Sequence, residues 1–434
     1  MSACRFGVAS TDITPDPDVD LYGLDGQLRT SKKVLDDLRA TALCLDDGRG
    51  GTAIVISADI IWLSREVCRA VRRALQERIG LTPANVFLCA THTHGSPQLL
   101  KESHNPAQRD AAYESAFTDA LVQSAVQAYA AMEPGSLYRA FVRCPVAVYR
   151  RKRLPNPASL KKLRWRTMIA NRPVPDHPID DVLTSVRIDD ASGCPKAMLL
   201  NIACHPTLFR SNAVSADYPG CLRRILQERY GKGFETVFLQ GFSGNLRPRV
   251  LRRAPLRFST PFQALYALLF DRLHFEKDIG AYELEALAGR LAYCLDSGQY
   301  SPLGQCSIKA ERSVVALPLA GGGREAHLGV HALQLTKNLV LLGLEGEIFM
   351  EYALWLRCVA EGAIPVACCG GMIGYVPDEA GLAAGGYEVE RSLGEFGLPA
   401  PFASSIEERV KQGMLGALDG VEWALNIRGG EKND

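Results

Sequence analysis

The pattern of apolar and polar positions predicts strands that alternate with helices. Short β-prone apolar runs at 52–56 and 85–90 are bounded by turn residues, which is typical of buried strands. Between these runs, apolar residues recur at helical spacing after Ser64 and predict a capped helix up to Ile79. A strand, a helix and a second strand in this order predict a right-handed crossover between parallel strands.

The remaining pattern continues in the same way to the end of the chain. We predict strands near 136–144, 182–189, 197–204, 237–239, 306–317, 338–344 and 365–369, and helices at 110–132, 219–230, 283–295, 346–360 and 404–418. No repeat or linker divides these elements. The sequence therefore predicts an α/β fold with mixed β-sheets flanked by helices, as one large domain over 1–427 followed by a disordered tail at 428–434.

Two histidines follow the strand predicted at 85–90, in the stretch Thr91-His92-Thr93-His94. In extended backbone, side chains two positions apart point to the same side, so both imidazoles can face one cavity. Ligands of open α/β sheets gather at the carboxyl ends of strands, and neutral imidazole is the commonest metal ligand. Taken alone, the pair is equally compatible with a metal site and with polar loop histidines.

Two other strand ends carry candidate chemistry. His205-Pro206 places a third histidine at the end of the strand predicted at 197–204. The turn Gly241-Phe242-Ser243-Gly244-Asn245 resembles a nucleophile elbow, but the elbow requires glycine where this chain has Asn245. A serine hydrolase is therefore disfavoured.

Two segments have a simple and a more specific interpretation. Residues 150–172 contain nine basic residues, and no acid occurs before Asp176. The simple interpretation is a solvated loop, whereas the specific one is an arginine beside a metal cavity that binds an anionic substrate group. Residues 249–275 contain apolar side chains at helical spacing, which indicate either a core helix or a lid over the site.

Composition narrows the class of partner and compartment. Lys plus Arg total 49 and Asp plus Glu total 48, so nothing favours nucleic acid or another polyanion. We find no signal-peptide pattern and no apolar run near the ~18 residues of a membrane helix, so we expect a soluble cytoplasmic protein without membrane insertion. The 13 cysteines lack a Cys-x-x-Cys pair, and we interpret them as reduced core thiols. The sequence leaves homo-oligomer formation open.

Several motifs between 6 and 418 resemble, in the same order, the neutral non-lysosomal ceramidases, specifically their zinc-bearing N-terminal amidase domain. They are Ser57-Ala58-Asp59, Thr91-His92-Thr93-His94, His205-Pro206, Ser215-Ala216-Asp217-Tyr218-Pro219-Gly220, Gly346-Glu347-Ile348-Phe349, Tyr375 and Tyr387-Glu388.

This resemblance implies a residue role at each matching position. The implied Zn²⁺ ligands are His92, His205, Glu347 and Tyr375. His94 and Tyr387 would be the catalytic residues that face the scissile carbonyl. Arg150 matches an arginine that lines the substrate pocket, although Arg151 aligns nearly as well. The main departure is Phe242, where the ceramidases have aspartate.

The expected function is a zinc-dependent amidohydrolase of the ceramidase type. Because the sequence ends near 434 without the C-terminal immunoglobulin-like domain of true ceramidases, we expect a small soluble N-acyl substrate rather than ceramide. An esterase or lactonase would use the same site, and a catalytically inactive metal-binding protein is the alternative from another class. A TIM barrel is disfavoured, because its histidine motif would come near the first strand rather than at residue 92.

Overall fold

Strands and helices alternate along the residues that the structure, a computed structural model, describes: 4–24, 27–97, 99, 111–253, 260–277 and 279–426. The resulting mixed sheets flanked by helices confirm the predicted α/β class, and they exclude a TIM barrel. The predicted tail at 428–434 lies outside the described residues.

The strands are numbered in chain order. They are β1 Arg5–Asp12, β2 Asp20–Leu24, β3 Gln27–Thr30, β4 Arg39–Asp46, β5 Thr52–Ala58, β6 Val86–Ala90, β7 Glu133–Arg143, β8 Ala147–Pro155, β9 Thr167–Val174, β10 Val182–Asp190, β11 Pro195–Ile202, β12 Glu235–Gln240, β13 Leu246–Pro248, β14 Leu251–Arg253, β15 Leu273–Phe275, β16 Ser301–Pro302, β17 Cys306–Pro318, β18 Glu325–Thr336, β19 Leu339–Leu344, β20 Glu347–Ile348, β21 Ala363–Val366 and β22 Tyr375–Val376.

The helices are numbered in the same way. They are α1 Arg65–Ile79, α2 Ala111–Ala130, α3 Pro157–Leu160, α4 Asp217–Tyr230, α5 Pro261–Phe270, α6 Ala281–Asp296, α7 Glu351–Val359, α8 Glu379–Ala384 and α9 Ile406–Gly420, with short helical turns at Pro83–Asn85, Tyr387–Arg391 and Leu393–Phe396.

The largest sheet has nine strands in the order β12-β11-β10-β7-β1-β4-β5-β6, with β16 beside β7. Its two halves are continuous through the pairing of β1 with β7, at Arg5–Pro134 and Phe6–Glu133. The two halves also face each other: Ser57 in β5 donates a hydrogen bond of 2.5 Å to the carbonyl of Phe238 in β12. The parallel pairing of β5 with β6 confirms the predicted crossover through α1.

A second sheet, β17-β18-β19-β21, closes the space between the two halves. One core cluster contains apolar side chains of all three surfaces, among them Phe87 from β6, Val237 from β12 and Leu341 from β19. Helices cover the outer faces: α2 packs on β1, β4 and β5 and against α1, α4 packs beside β12 and against α6, α6 packs beside β10 and β7, and α9 packs on β17. Strands buried on both faces read as continuous apolar runs, which explains the uniform runs in the sequence.

Local signals place α1 as predicted. The Ser64 hydroxyl accepts a hydrogen bond of 3.1 Å from the backbone N–H of Val67, which caps the first turn. Gly80 ends the helix with φ 69°, the left-handed conformation that glycine adopts without strain.

Several sequence predictions are corrected by the structure. The strand β18 was not predicted, and residues 346–360 begin as the short strand β20 before α7 starts at Glu351. Residues 150–172 form the hairpin β8–β9 with α3 rather than a solvated loop. The helix α5 within 249–275 is not a core helix, since most of its side chains are partly or fully exposed.

The prediction that all cysteines are reduced is also wrong. Cys4, just before β1, and Cys306, at the start of β17, form a disulfide across 302 residues. Their positions on two different sheets explain why sequence spacing did not reveal the pair. Disulfides are rare in the cytosol, so cytoplasmic localisation stays a prediction. Within the described residues, no helix is long and apolar enough to cross a membrane.

Candidate metal centre

Three buried histidines converge where the carboxyl ends of several strands meet. The Nε2 atoms of His92 and His94 lie 3.1 Å and 3.3 Å from Nε2 of His205. His92 and His205 are each 1% exposed and His94 is 7% exposed. One ligand atom from each histidine lies within 4.8 Å of the others, so the three could hold a metal ion.

Backbone hydrogen bonds join the strand ends that carry these residues. The N–H of Thr91, after β6, donates to the carbonyl of Ala58 at the end of β5. The N–H of Gly241, after β12, donates to Ile202 at the end of β11, and Ala367, after β21, donates to Gln240. The predicted location at strand ends is thus where the histidines lie, because these ends form one edge of the fold.

The local conformation of His92 differs from the prediction. The strand β6 ends at Ala90, and His92 has φ 69°, a left-handed conformation that is strained for a residue with a Cβ. His92 and His94 still face one cavity, with ring centroids 5.0 Å apart, but through this kink rather than through the alternation of an extended strand.

The Nδ1 atoms of His92 and His205 are bound to main-chain carbonyls. The distance from Nδ1 of His92 to the Ile61 oxygen is 2.6 Å, and that from Nδ1 of His205 to the Ser243 oxygen is 3.4 Å. Nδ1 must carry the proton to donate to a carbonyl, which leaves the Nε2 lone pair directed into the cluster. This is the arrangement by which proteins fix the tautomer of a metal-binding histidine.

Strand pairing brings Glu347 and Tyr375 to the same place. The parallel strands β20 and β22 set Glu347 directly opposite Tyr375. Oε2 of Glu347 lies 3.4 Å from Nε2 of His92 and 3.7 Å from Nε2 of His205. This oxygen is buried and accepts no hydrogen bond from any described residue. A buried carboxylate oxygen without a donor, facing imidazole lone pairs, fits a bound cation.

The turn after β12 serves the cluster rather than a serine nucleophile. A Cβ on Gly244 would lie 2.4 Å from the carbonyl oxygen of Glu347, so only glycine permits this approach. The Ser243 hydroxyl accepts a hydrogen bond of 2.6 Å from the side chain of Gln240, and its carbonyl faces His205. Phe242, which stands where the ceramidases have aspartate, is fully buried in the core.

The structure separates the two candidate arginines. Arg151 donates to Glu388 Oε2 at 2.5 Å and to the carbonyls of Gly381 and Gly385, so its donors are used within the protein. Arg150 donates to Glu388 Oε1 at 3.0 Å, and its guanidinium carbon lies 5.5 Å from the ring centroid of Tyr375.

Arg150 also keeps one donor available. Its Nη2 is buried and has no partner among the described residues. The guanidinium therefore faces the cluster with a hydrogen-bond donor that nothing else in the described chain uses.

Tyr387 lies beside the cluster at the start of the turn Tyr387–Arg391. Its ring centroid lies 5.9 Å from that of Tyr375, and its hydroxyl donates to Glu395 at 2.9 Å. Burial raises the pKa of Tyr387 above its ordinary value, and the nearby Glu395 raises it further. Tyr387 is thus a neutral hydroxyl at neutral pH.

Burial sets the ionisation of two other residues of the cluster. It lowers the pKa of His205 well below its ordinary value, and His92 and Arg150 lower this pKa further. Burial likewise raises the pKa of Tyr375, with the Glu347 charge as the next cause. His205 is therefore neutral, the form that binds metals, whereas Tyr375 ionises only if a cation compensates its charge.

Sequence reasoning missed three residues that hold the site. Glu388 binds both arginines, and only its place beside Tyr387 in the motif signalled it. Glu395 accepts from Tyr387, and Trp62 lies with its ring centroid 6.4 Å from that of His92. Nothing in the spacing of Glu395 or Trp62 indicated a role.

Comparison with known proteins gives relatives of one kind. No protein-family model matches the chain. Neutral ceramidases B and A of Dictyostelium discoideum are each 26% identical to the chain over 272 and 276 residues, which is 57% of this chain in both cases. The matched segment spans only 36% of each of these relatives.

Solved structures show the same fold over nearly the whole chain. The crystal structure of neutral ceramidase from Pseudomonas aeruginosa superposes with a TM-score of 0.73 at 16% identity, and covers 97% of this chain and 75% of that one. A ceramidase complexed with C2 superposes with a TM-score of 0.71 at 15% identity, and covers 96% and 74%.

Proposed function

We propose, on the premise that the chain is a member of the neutral ceramidase family, that it is a zinc-dependent hydrolase that cleaves the amide bond of an N-acyl substrate. The observation that carries this proposal is the buried cluster of His92, His205 and Glu347, with a carboxylate oxygen that no described donor satisfies. A cluster of this kind is unfavourable without a cation.

The proposed zinc ligands are His92, His205, Glu347 and Tyr375. Two imidazoles, a carboxylate and a phenolate are ligand types that zinc accepts. Zinc bound there would polarise a substrate carbonyl and lower the pKa of a water molecule, which makes hydrolysis feasible at neutral pH.

Three further side chains have proposed roles toward the substrate. His94, the most exposed of the three histidines, accepts the proton that the attacking water loses and passes it to the leaving nitrogen. Tyr387, with its raised pKa, turns its single hydroxyl proton from Glu395 to the carbonyl oxygen as negative charge develops there. Arg150 offers its unpartnered Nη2 to a polar or anionic group of the substrate.

The substrate is proposed as a small N-acyl compound. The matched relatives are ceramidases, and ceramide is itself an N-acyl lipid. Since the match spans 36% of those relatives, their whole activity does not transfer to this chain. An ester or lactone would use the same donors, and it therefore belongs in the same assay.

The experiment measures metal content and turnover together. The purified protein should contain about one zinc per chain and hydrolyse members of a panel of N-acyl amines, esters and lactones, with activity lost on chelation and restored by zinc. Glu347→Gln should contain little zinc. Glu235→Gln is a matched control, because Glu235 also has a carboxylate oxygen without a described partner but lies at the start of β12. Equal zinc in wild type and Glu347→Gln would contradict the proposal.

A further inference from the structure

Two segments that the proposed site does not use meet on one surface. The helix α5 is tied by two hydrogen bonds to β8, the strand that leads into the loop joining β8 to β9. The Tyr266 hydroxyl donates to the carbonyl of Pro155 at 2.7 Å, and the Lys152 amine donates to the carbonyl of Phe270 at 2.7 Å. Trp165 in the loop also contacts α5, with its ring centroid 6.4 Å from that of Phe270.

This surface concentrates exposed apolar side chains. It holds six of the twelve large apolar side chains that are exposed among the described residues. They are Leu163 (97% exposed), Trp165 (70%), Met168 (36%), Leu265 (55%), Leu268 (48%) and Leu269 (60%). Single exposed apolar residues need no explanation, but a contiguous group marks an interaction surface. We call the segment 161–168 together with Leu265, Leu268 and Leu269 of α5 the basic-apolar patch.

The same patch carries a concentrated positive charge. Lys161, Lys162, Arg164 and Arg166 are exposed within it, and no acid occurs between 150 and 175. The helix α5 has no charged residue. The whole chain has a formal net charge of only +1, so this local charge is not a reflection of the overall composition.

The backbone at Leu163 supports a role for its exposed side chain. Leu163 has φ 55°, a left-handed conformation that is unfavourable for leucine. With 97% of its surface exposed, the side chain gains almost nothing from packing inside the protein. Stability alone would favour glycine or asparagine at this position.

We propose that the basic-apolar patch docks the protein on the surface of an anionic phospholipid membrane. Leucine and tryptophan side chains enter the interface between head groups and acyl chains, while lysine and arginine contact the phosphate groups. A nucleic acid would satisfy the charges but would leave the leucines in water. The match of exposed apolar side chains with adjacent bases therefore favours the lipid surface.

The patch is connected to the candidate metal centre through the β8–β9 hairpin. The strand β8 carries Arg150 in its middle and ends in the loop of the patch. In β9, Ile169 packs against Gly386, the residue before Tyr387. A Cβ added to Gly386 would lie 3.0 Å from the Cβ of Ile169. The hairpin thus connects the patch directly to two residues of the proposed site.

The first experiment measures flotation of the full chain with vesicles. Binding should be strong to phosphatidylcholine mixed with phosphatidylglycerol and weak to phosphatidylcholine alone, and it should fall as salt rises. Each basic residue near an anionic surface strengthens binding about fivefold, so Lys162→Ala with Arg164→Ala should weaken partitioning about 25-fold. Leu163→Asn should weaken it while leaving the melting temperature equal or higher, because asparagine tolerates φ 55°.

A second readout reports which residue contacts lipid. The chain has four tryptophans, and Trp165 is strongly exposed whereas Trp62 and Trp423 are buried. Tryptophan fluorescence should shift to shorter wavelength on anionic vesicles, and Trp165→Phe should abolish the shift. Tyr293→Ser is the matched control, since Tyr293 is 75% exposed on α6, outside the patch.

Equal binding to both kinds of vesicle would overturn the proposal, as would binding unaffected by the charge and Leu163→Asn variants. Preference for duplex DNA over anionic vesicles would also overturn it and would assign the charges to a nucleic acid. Vesicle binding requires no catalysis, so its outcome is separate from that of the proposed hydrolase function.

Discussion

The candidate metal centre and the basic-apolar patch are both exceptions to the usual distribution of residues, in which polar groups are exposed and apolar groups are buried. The centre buries imidazoles and a carboxylate, with His92 and His205 only 1% exposed, whereas the patch exposes Leu163 and Trp165 by 97% and 70%. A buried polar group lowers stability unless it is hydrogen-bonded or bound to a metal, and a group of neighbouring exposed apolar side chains marks an interaction surface. The two regions therefore indicate two external partners, a cation and a lipid surface.

They also differ in how much of the fold they require. The centre draws on the ends of β6, β11 and β20, which are held by strand pairing and main-chain hydrogen bonds. The patch is formed by one hairpin and one helix. We therefore expect changes at the centre to alter metal content and turnover, and changes at the patch to leave both intact.

The largest effects should come from the histidines, which test whether the centre is one ligand set. His92→Ala and His205→Ala should purify with little zinc and show background turnover, because each loses a ligand whose tautomer is fixed by a carbonyl. His94→Ala should retain zinc while turnover falls by about 10²–10⁴-fold, as expected for loss of a general base. Elemental analysis beside single-substrate kinetics measures both. Loss of zinc in His94→Ala would make it a ligand instead.

The next effect separates two tyrosines of the same cluster. Tyr387→Phe should keep its zinc and fold, while turnover falls by about 10²–10³-fold through loss of one donor to the oxyanion. Tyr375→Phe should lower zinc affinity, because Tyr375 pairs with Glu347 in β20–β22 and its hydroxyl is a proposed zinc ligand. Zinc titration and kcat of both variants provide the comparison, and equal zinc loss in the two would contradict this division of roles.

The two adjacent arginines are expected to differ in role, with Arg151 stabilising the fold and Arg150 binding the substrate. Arg151→Met should lower the free energy of unfolding by about 2–4 kcal/mol, since it removes three hydrogen bonds of a buried cation. Arg150→Lys should lower the free energy of unfolding less than Arg151→Met does. It should raise KM, because the free Nη2 donor is lost. Denaturant unfolding and kinetics on the folded protein distinguish them; a raised KM only in the Arg151 variant would reverse the assignment.

The smallest effect tests whether an unsatisfied carboxylate alone identifies a metal site. Burial raises the pKa of Glu235 to about 7, with Arg223 and Arg39 opposing the shift. A carboxyl with a raised folded pKa destabilises the protein above that pKa, and this destabilisation disappears as pH falls toward its unfolded value. Glu235→Gln should therefore stabilise the protein by about 1–2 kcal/mol at pH 8 and by little at pH 4, with zinc unchanged. Thermal unfolding at both pH values provides the check, and lost zinc would indicate a second metal residue.

The sequence predicted the α/β class and many of the elements because their signals are local. Ser64 and Gly80 bound α1 by capping chemistry, and uniform apolar runs identify β5 and β6. Pairing across long distances left no such signal. Neither the disulfide between Cys4 and Cys306 nor the joint between β1 and β7 could be read from spacing.

The candidate site was predictable in its residue types but not in its geometry. A motif places His92 just after a strand, but its left-handed backbone conformation depends on tertiary contacts. These are the hydrogen bond of its Nδ1 to Ile61 and that of the Thr91 N–H to Ala58. Arg150 and Arg151 were nearly equivalent in sequence. Both bind Glu388, and they differ only in the folded structure, because Arg151 also donates to the carbonyls of Gly381 and Gly385 whereas Nη2 of Arg150 has no described partner. Leu163 and Trp165 read as ordinary loop residues, because exposure is a property of the folded surface.

The distance in sequence between His92 and Glu347 has a consequence for biosynthesis. After His92 the ribosome adds 255 residues up to and including Glu347, which takes roughly 10–50 s at about 5–20 residues per second. During that interval the nascent chain exposes imidazoles without the carboxylate that would complete their cation site. The proposed cation site is therefore complete only after most of the chain has been synthesised, and its filling would depend on the ion supply met by the finished polypeptide rather than by the growing one.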